Sequence, residues 1–217
     1  MSSQPHQQPA VAVKDKLYKR PFDLIVLVLA HLLLFPLWLL LWTLIPLAIW
    51  LQDRGPIFYK QTRIGRGGKV FTIRKFRTMV PDAERMTGAV WATLRDPRIT
   101  PLGRILRTTA LDELPQVLNI WRGEMSIVGP RSERPELHAK FVQQFPSFGQ
   151  RLAVRPGLTG LAQVKGEYNL PPNEKLVYDT EYIRRMSLWL DIKLITISVW
   201  NTVVGRWDRR AAKKDRP

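Results

Sequence analysis

Residues 24–51 read LIVLVLAHLLLFPLWLLLWTLIPLAIWL, without one formally charged side chain. A straight helix of that length would rise about 42 Å at ~1.5 Å per residue, more than a hydrocarbon core of roughly 30 Å requires. The run is too long for a signal-peptide core, and no small-residue cleavage site follows it. It reads as a membrane segment. Pro36, near its middle, removes a helical hydrogen bond, and Pro46 does so again near its end. Both flanks are basic, with Lys14, Lys16, Lys19 and Arg20 before it and Arg54, Lys60, Arg63, Arg66 and Lys69 after it. A spanning helix would strand one basic flank on the outer face, against the positive-inside tendency. A helix broken at Pro36 that enters and leaves by one leaflet keeps both flanks in the cytoplasm. An ordinary kinked span is the alternative, since membrane helices tolerate proline; the flanks favour re-entry.

The rest of the 217 residues leaves room for one domain with a real core. Lys and Arg number 34 against 18 acids, a formal charge of +16. That excess favours an anionic partner: nucleic acid, phospholipid headgroups or a phosphorylated substrate. The chain has no cysteine, which excludes disulfides, thiolate nucleophiles and Cys-ligated zinc. His6, His31 and His138 are too scattered for a histidine metal cluster. Carboxylates are left to carry nucleophilic or metal chemistry.

Downstream of the apolar run, Ile57-Phe58-Tyr59 and Val70 to Arg77 flank Gly65-Arg66-Gly67-Gly68, the pattern of a β-hairpin. Alternation puts Phe71, Ile73, Lys75 and Arg77 on one face, so two cations end side by side as a phosphate site or a solvated strand end. The Gly-Arg-Gly-Gly-Lys run lacks the spacing and terminal hydroxyl of a P-loop. Asp96-Pro97-Arg98 marks a loop. Leu102, Ile105, Leu106 and Thr109 fit one face of a short helix, and Gly123 closes the element that follows. Residues 133–150 read as an amphipathic helix with Leu137, Phe141 and Phe145 inward and His138 as a surface or packing residue. Leu161 to Val164 reads as a short strand, and helical spacing returns from Asn173 to Val204. In that last run Asp191 and Lys193 argue against a second span, at about 2.5–3.5 kcal/mol each near mid-bilayer. An interfacial or core helix with tryptophans at headgroup level fits better.

The chemistry concentrates in Thr108-Thr109-Ala110-Leu111-Asp112-Glu113-Leu114-Pro115-Gln116. Adjacent carboxylates stand just before a proline that suits the first turn of a helix. At a helix N-terminus an aspartate stays ionised and can serve as a nucleophile or a metal ligand. The same residues also fit a capping-box-like pattern, Thr109-x-x-Asp112, with no catalytic role.

Six motifs in order behind the apolar run carry a resemblance. They are Gly55-Pro56-Ile57-Phe58-Tyr59-Lys60-Gln61; Lys75-Phe76-Arg77-Thr78-Met79; Asp96-Pro97-Arg98-Ile99-Thr100; Leu106-Arg107 with Leu111-Asp112-Glu113-Leu114-Pro115-Gln116; Met125-Ser126-Ile127-Val128-Gly129-Pro130-Arg131; and Arg155-Pro156-Gly157-Leu158-Thr159-Gly160. Together they resemble the bacterial sugar transferase family of monotopic phosphoglycosyl transferases. The resemblance implies transfer of a phosphosugar from a nucleoside diphosphate sugar, with uridine the expected base, to polyprenyl phosphate, with Mg²⁺. By carry-over, Asp112 attacks the sugar-bearing phosphorus to form a covalent intermediate. Glu113 then orients or deprotonates the lipid phosphate or assists the metal, which both acids would bind. Arg107 and Arg131 are the leading phosphate-binding candidates, because a guanidinium fork suits oxyanions; Lys75, Arg77 and Arg155 rank behind. Ser132, Leu161 and Glu167 depart from the family pattern, which has Pro, Trp and commonly Arg there.

The expectation is thus an α/β membrane-associated protein: one re-entrant helix, a small β-hairpin and several short amphipathic interface helices. Residues 1–20 would form a flexible basic tail, 21–52 the re-entrant helix, 53–205 a cytoplasmic catalytic domain and 206–217 a basic tail. Larger relatives carry extra membrane helices ahead of the re-entrant one, and by that resemblance the expectation is a form close to the minimal catalytic one. Expected partners are a UDP-sugar, polyprenyl phosphate and membrane lipid, not nucleic acid, with homodimerisation left open; the expected location is the cytoplasmic face of the bacterial inner membrane. A non-catalytic, membrane-anchored binder of anionic lipid or nucleic acid is the rival from the charge alone, and a membrane phosphohydrolase with an aspartyl-phosphate is the rival from the dyad.

Overall fold

The computed structural model describes residues 15–83, 96–166, 170–204 and 207. The apolar run forms two helices, α1 (Lys19–Leu33) and α2 (Phe35–Asp53), joined at Leu34, whose φ of −108° and ψ of 20° leave the helical region. The break therefore falls just ahead of Pro36, which sits in the first turn of α2, where no N–H is needed. Pro46 lies inside α2 without ending it.

Both ends of this hairpin are rooted in one folded body. At the base of α1, Lys19 is 2 % exposed, and its ammonium donates to Val128 O at 2.9 Å, Tyr182 Oη at 3.2 Å and Asp191 Oδ2 at 2.9 Å. Tyr18 and Tyr182 also donate to Asp191, at 2.9 and 2.8 Å. One turn on, Asp23 Oδ1 accepts from Ser126 Oγ and Ile127 N at 3.0 and 3.1 Å. Arg20 donates to Ile120 O and Trp121 O, and Asp15 is paired with Arg66 and Arg155. The expected flexible tail of residues 1–20 is thus engaged from Asp15 onward, because its charges have partners in the fold. The tails at 1–14 and 208–217 lie outside the described residues.

At the other root, Ile45 and Ile49 of α2 pack with Phe76 and Leu106, and Asp53 meets Arg77. That guanidinium donates to both Asp53 oxygens and to Pro56 O. Arg77, expected among the phosphate-binding cations, is committed to this clamp, because the strand delivers it to the end of α2.

The β-hairpin forms as expected, β1 (Phe58–Ile64) antiparallel to β2 (Val70–Phe76), with Gly67 and Gly68 supplying φ of 65° and 82° at its turn. Tyr59, Gln61 and Arg63 pair with Lys75, Ile73 and Phe71, so all six share a face. Phe71 and Ile73 enter the main core beside Ile120, Val128, Tyr182, Met186 and Leu194. In α3 (Pro101–Thr108), Thr100 Oγ1 caps by accepting from Gly103 N at 2.9 Å. Leu106 is buried but Ile105 is exposed, contrary to the expected inward face. A 3₁₀ turn (Leu111–Gln116) leads into α4 (Val117–Trp121), which Gly123 closes with φ of 77°.

A second pair, β3 (Ser126–Val128) with β4 (Gly157–Thr159), is parallel. A Cβ at Gly157 would lie 2.0 Å from Gly129 N, so only glycine permits this approach. The strand expected at Leu161 to Val164 is instead the helix α6 (Leu161–Lys165), since β3 is already paired by the residues before Gly160. The expected amphipathic helix divides into α5 (Pro135–Gln144) and a 3₁₀ stretch (Pro146–Ala153), with Phe148 fully buried and Phe145 only half-buried. His138 is 1 % exposed and packs on Phe148. Two further helices follow, α7 (Pro172–Arg185) and α8 (Leu188–Val203), where Asp191 is fully buried while Trp189 and Trp200 are exposed.

Lys19→Met leaves Asp191 buried without its cation and should cost about 3–5 kcal/mol, read as a lowered denaturation midpoint in detergent; adding Asp191→Asn should restore part of the loss. Arg77→Lys should lower the midpoint by the equivalent of about 1–3 kcal/mol through loss of the two-pronged grip on Asp53. Nucleotide affinity should stay within twofold, and a large fall would return Arg77 to the phosphate site.

Candidate active site

The acidic pair is presented by a sharp reversal. The Thr109 hydroxyl folds back to donate to Ile105 O at 2.9 Å, closing α3 rather than capping the next turn. The capping-box alternative is therefore not formed; residue 110 takes the N-cap position instead. Ala110 there has φ of 55° and ψ of 18°, a left-handed conformation uncommon outside glycine. From that point the 3₁₀ turn directs Leu111 and Leu114 against the cluster of Ile45, Ile49 and Phe76. Asp112 and Glu113 line a cleft of about 1270 Å³.

The two carboxylates are held very differently. Glu113 Oε1 accepts from Lys75 Nζ at 2.5 Å and from Arg131 Nη2 at 2.5 Å, and Oε2 accepts from Arg131 Nη1 at 3.2 Å. Burial opposes its charge, but the Arg131 and Lys75 cations win and hold it well below the usual carboxylate range. Asp112 is 8 % exposed, and its nearest cation, Lys75, stands 4.0 Å from Oδ2. Among the described residues no group donates a hydrogen bond to its carboxylate. Burial pushes its pKa up, the Lys75 charge offsets part of that, and the neighbouring Glu113 charge adds to it. Lys75 is itself pushed down by burial, against the pull of Glu113.

The expected cations divide accordingly. Lys75, Arg107 and Arg131 line the cleft with the acids, Arg77 lines it too while its guanidinium is held by Asp53, and Arg107 Nε donates to Thr78 Oγ1 at 3.0 Å. Arg155 does not belong with them: its guanidinium binds Asp15 and donates to Gly123 O at 2.9 Å, pinning the start of the described chain. Arg63 lines the cleft although only its place in the basic flank drew notice. It donates to Ser132 O at 2.7 Å and to Gln61 Oε1, while Gln61 donates to Tyr59 Oη at 2.8 Å. Burial lowers the Arg63 pKa to about 10. Strand alternation carries the signal for this ladder, because Tyr59, Gln61 and Arg63 lie on the face that presents Lys75. Ser132, the departure at the Gly-Pro-Arg turn, is buried and serves through its carbonyl. Glu167 lies outside the described residues.

Among the described residues no three acids or histidines gather as a self-sufficient metal site. The donor set fits magnesium in another way, because that ion takes one or two carboxylates and completes its shell with phosphate and water oxygens. Asp112, free of donated hydrogen bonds, and Glu113 beside it are the residues that would hold it.

Comparison with known proteins places the chain among its relatives. The model of the bacterial sugar transferase family matches residues 14–205. A UDP-glucose:undecaprenyl-phosphate glucose-1-phosphate transferase of Caulobacter vibrioides is 41 % identical over 196 residues, 88 % of this chain and 71 % of its own. An undecaprenyl-phosphate glucose phosphotransferase of Komagataeibacter xylinus is 40 % identical over 200 residues, again 88 % of this chain but 37 % of that protein. The exopolysaccharide production protein ExoY of Sinorhizobium fredii is 37 % identical over 208 residues, 88 % of each. The chain thus spans well under half the length of the Komagataeibacter relative. With the family model covering nearly the whole chain and the acidic pair set in a cation-lined cleft, this protein belongs to the bacterial sugar transferase family.

Proposed function

We propose that this protein moves a phosphosugar from a nucleoside diphosphate sugar, with uridine as the base, to a polyprenyl phosphate, an initiating step of polysaccharide or glycoconjugate assembly. The observation that carries the proposal is the asymmetry of the dyad: Glu113 is fully engaged by Lys75 and Arg131, whereas Asp112 receives no hydrogen bond and faces the cleft. A buried carboxylate with open lone pairs is poised to attack phosphorus. The names of the relatives, which join UDP-glucose to undecaprenyl phosphate, support the substrate classes.

In the first half-reaction an Asp112 oxygen attacks the sugar-bearing phosphorus. A bond forms between them, the bond to the bridging oxygen breaks, and the nucleoside monophosphate leaves. In the second, an oxygen of the polyprenyl phosphate attacks the same phosphorus. The aspartyl–phosphorus bond breaks, giving polyprenyl diphosphosugar and restoring the Asp112 carboxylate. Arg107, Arg131 and Lys75 hold the phosphate oxygens in line, which is the main demand of phosphoryl transfer. Glu113 fixes Lys75 and Arg131 in place and orients the incoming lipid phosphate. Asp112 and Glu113 would hold magnesium, whose charge would offset that of the phosphate oxygens.

The site belongs where a soluble donor can meet a lipid acceptor. The α1–α2 hairpin supports this, with Leu32, Leu33 and Phe35 at its tip 71 %, 76 % and 62 % exposed. It enters and leaves the cytoplasmic leaflet of the inner membrane, and the basic surface adds attraction to anionic headgroups.

Intact-protein mass tests the mechanism. Nanodisc-held protein mixed with magnesium and UDP-sugars should gain one phosphosugar, lose it to added polyprenyl phosphate, and gain nothing as Asp112→Asn. Product formation by Asp112→Asn at the wild-type rate would remove the nucleophile, and steady release of sugar phosphate without lipid would instead mark a phosphohydrolase. Chelation with EDTA should stop adduct formation and magnesium should restore it; unchanged adduct in EDTA would overturn the metal assignment.

A further inference from the structure

Arg131 grips Glu113 and faces the cleft, yet its side chain is 39 % exposed and depends on its main chain for aim. That main chain is held at every step. Four successive carbonyls each accept from a donor distant in sequence: Pro130 O from Gly157 N at 3.0 Å, Arg131 O from Arg151 Nη2 at 2.8 Å, Ser132 O from Arg63 Nη1 at 2.7 Å and Glu133 O from Ile64 N at 2.9 Å. Two of these donors are backbone groups, and Arg63 lines the cleft. Arg151 is of another kind. It lies in the 3₁₀ stretch Pro146–Ala153, is 4 % exposed and does not line the cleft.

A buried guanidinium is a costly way to satisfy one carbonyl. Its charge is met from behind. Arg151 Nε donates to Asp179 Oδ2 of α7 at 2.6 Å, Nη1 stands 3.8 Å from Glu133 Oε1, and the guanidinium lies over the Phe148 ring, 4.5 Å from its centroid. Asp179 is 1 % exposed, and Glu133 accepts from Lys175 of the same helix at 2.8 Å. Buried ion pairs add little stability over apolar side chains of the same volume, so a gain in fixed geometry is the better account of this one. One edge of the planar fork reaches Asp179 and the Arg131 carbonyl together, which an ammonium on a flexible stem does not reproduce.

We infer that Arg151, braced by Asp179, is a positioning residue for Arg131. By holding the carbonyl of residue 131 it fixes the turn after Pro130 and aims the Arg131 guanidinium at Glu113 and at phosphate oxygens beside it. Arg151 itself touches no reacting atom. What Arg131 does for the phosphates rests on the function proposed above; its placement by Arg151 does not.

Arginine modification by phenylglyoxal, read by peptide mass in nanodisc-held full-length protein, follows the placement directly. Arg151→Lys keeps a cation for Asp179 but loses the bridge. Arg131 should then be modified at least fivefold faster than in the wild type, measured against the exposed Arg185 as internal reference. Arg151→Met combined with Asp179→Leu replaces the buried pair by apolar side chains of similar size and guards against misfolding; it should give the same gain. An unchanged ratio in the folded variants would overturn the assignment. Phosphosugar uptake then separates positioning from general loosening. Arg151→Lys should slow adduct formation at least tenfold in the wild-type background but less than twofold in Arg131→Gln, because its effect travels through that side chain. Equal fractional losses in the two backgrounds would mark Arg151 as merely structural and sink the proposal. If the wild-type protein takes up no phosphosugar, the proposed function itself fails, while the phenylglyoxal ratio still decides whether Arg151 places Arg131.

Discussion

A single buried ammonium holds the two halves of this molecule together. Lys19, at the foot of the apolar hairpin, reaches Val128 of β3, Tyr182 of α7 and Asp191 of α8 at once. Such a charge is tolerable in a core only because its three donors are all met. Asp23 repeats the grip one turn later on Ser126 and Ile127. The strand so gripped runs directly into Gly129, Pro130 and Arg131, and Arg131 closes on Glu113. The hairpin and the acidic pair are therefore joined by a short chain of specific contacts.

That linkage explains why two neighbouring carboxylates can do different work. Glu113 has both of its oxygens engaged by Lys75 and Arg131, and it stays ionised despite burial. Asp112 sits in the same dry setting with a cation no nearer than 4.0 Å. The cations that neutralise one acid also form the surface on which a diphosphate would lie, so Glu113 acts as the fastening for Lys75 and Arg131. Ala110, held in a left-handed conformation immediately before the pair, keeps both acids pointed into the cleft.

What could be read from the sequence follows from the range of the interactions involved. The apolar run, the hairpin with its glycine turn, the short helix ahead of the dyad and the cluster of Asp112, Glu113, Lys75, Arg107 and Arg131 were legible, because local period, turn chemistry and motif order encode them. Pairings across the chain were not. Nothing local assigns Arg77 to Asp53 or Arg155 to Asp15; each looks like a free phosphate ligand until the partner is brought up from 24 or 140 residues away. The strand expected at Leu161 to Val164 failed for a related reason. Its apolar run is short enough for either state, and the tight contact of Gly157 with Gly129 starts the strand four residues earlier.

Charge counting alone does not fix the geometry of the apolar segment. Lys19 and Arg20 count as flanking cations by sequence, yet Lys19 is paired with Asp191 in the core and Arg20 is bound to the carbonyls of Ile120 and Trp121. The positive-inside tendency therefore has fewer charges to act on than composition suggests. The rooting of the two ends is what supports the proposed re-entry. Lys19 and Asp23 fix the entry of α1 to β3, and Asp53 with Ile45 and Ile49 fixes the exit of α2 to the end of β2 and to α3. A segment whose first and last turns are both sewn into one body reaches its farthest point at the Leu34 break, not at its end. To span a bilayer, α2 would have to give up the Arg77 clamp and the packing on Phe76 and Leu106. The proposed re-entry requires neither, since it leaves the buried contacts at both roots in place.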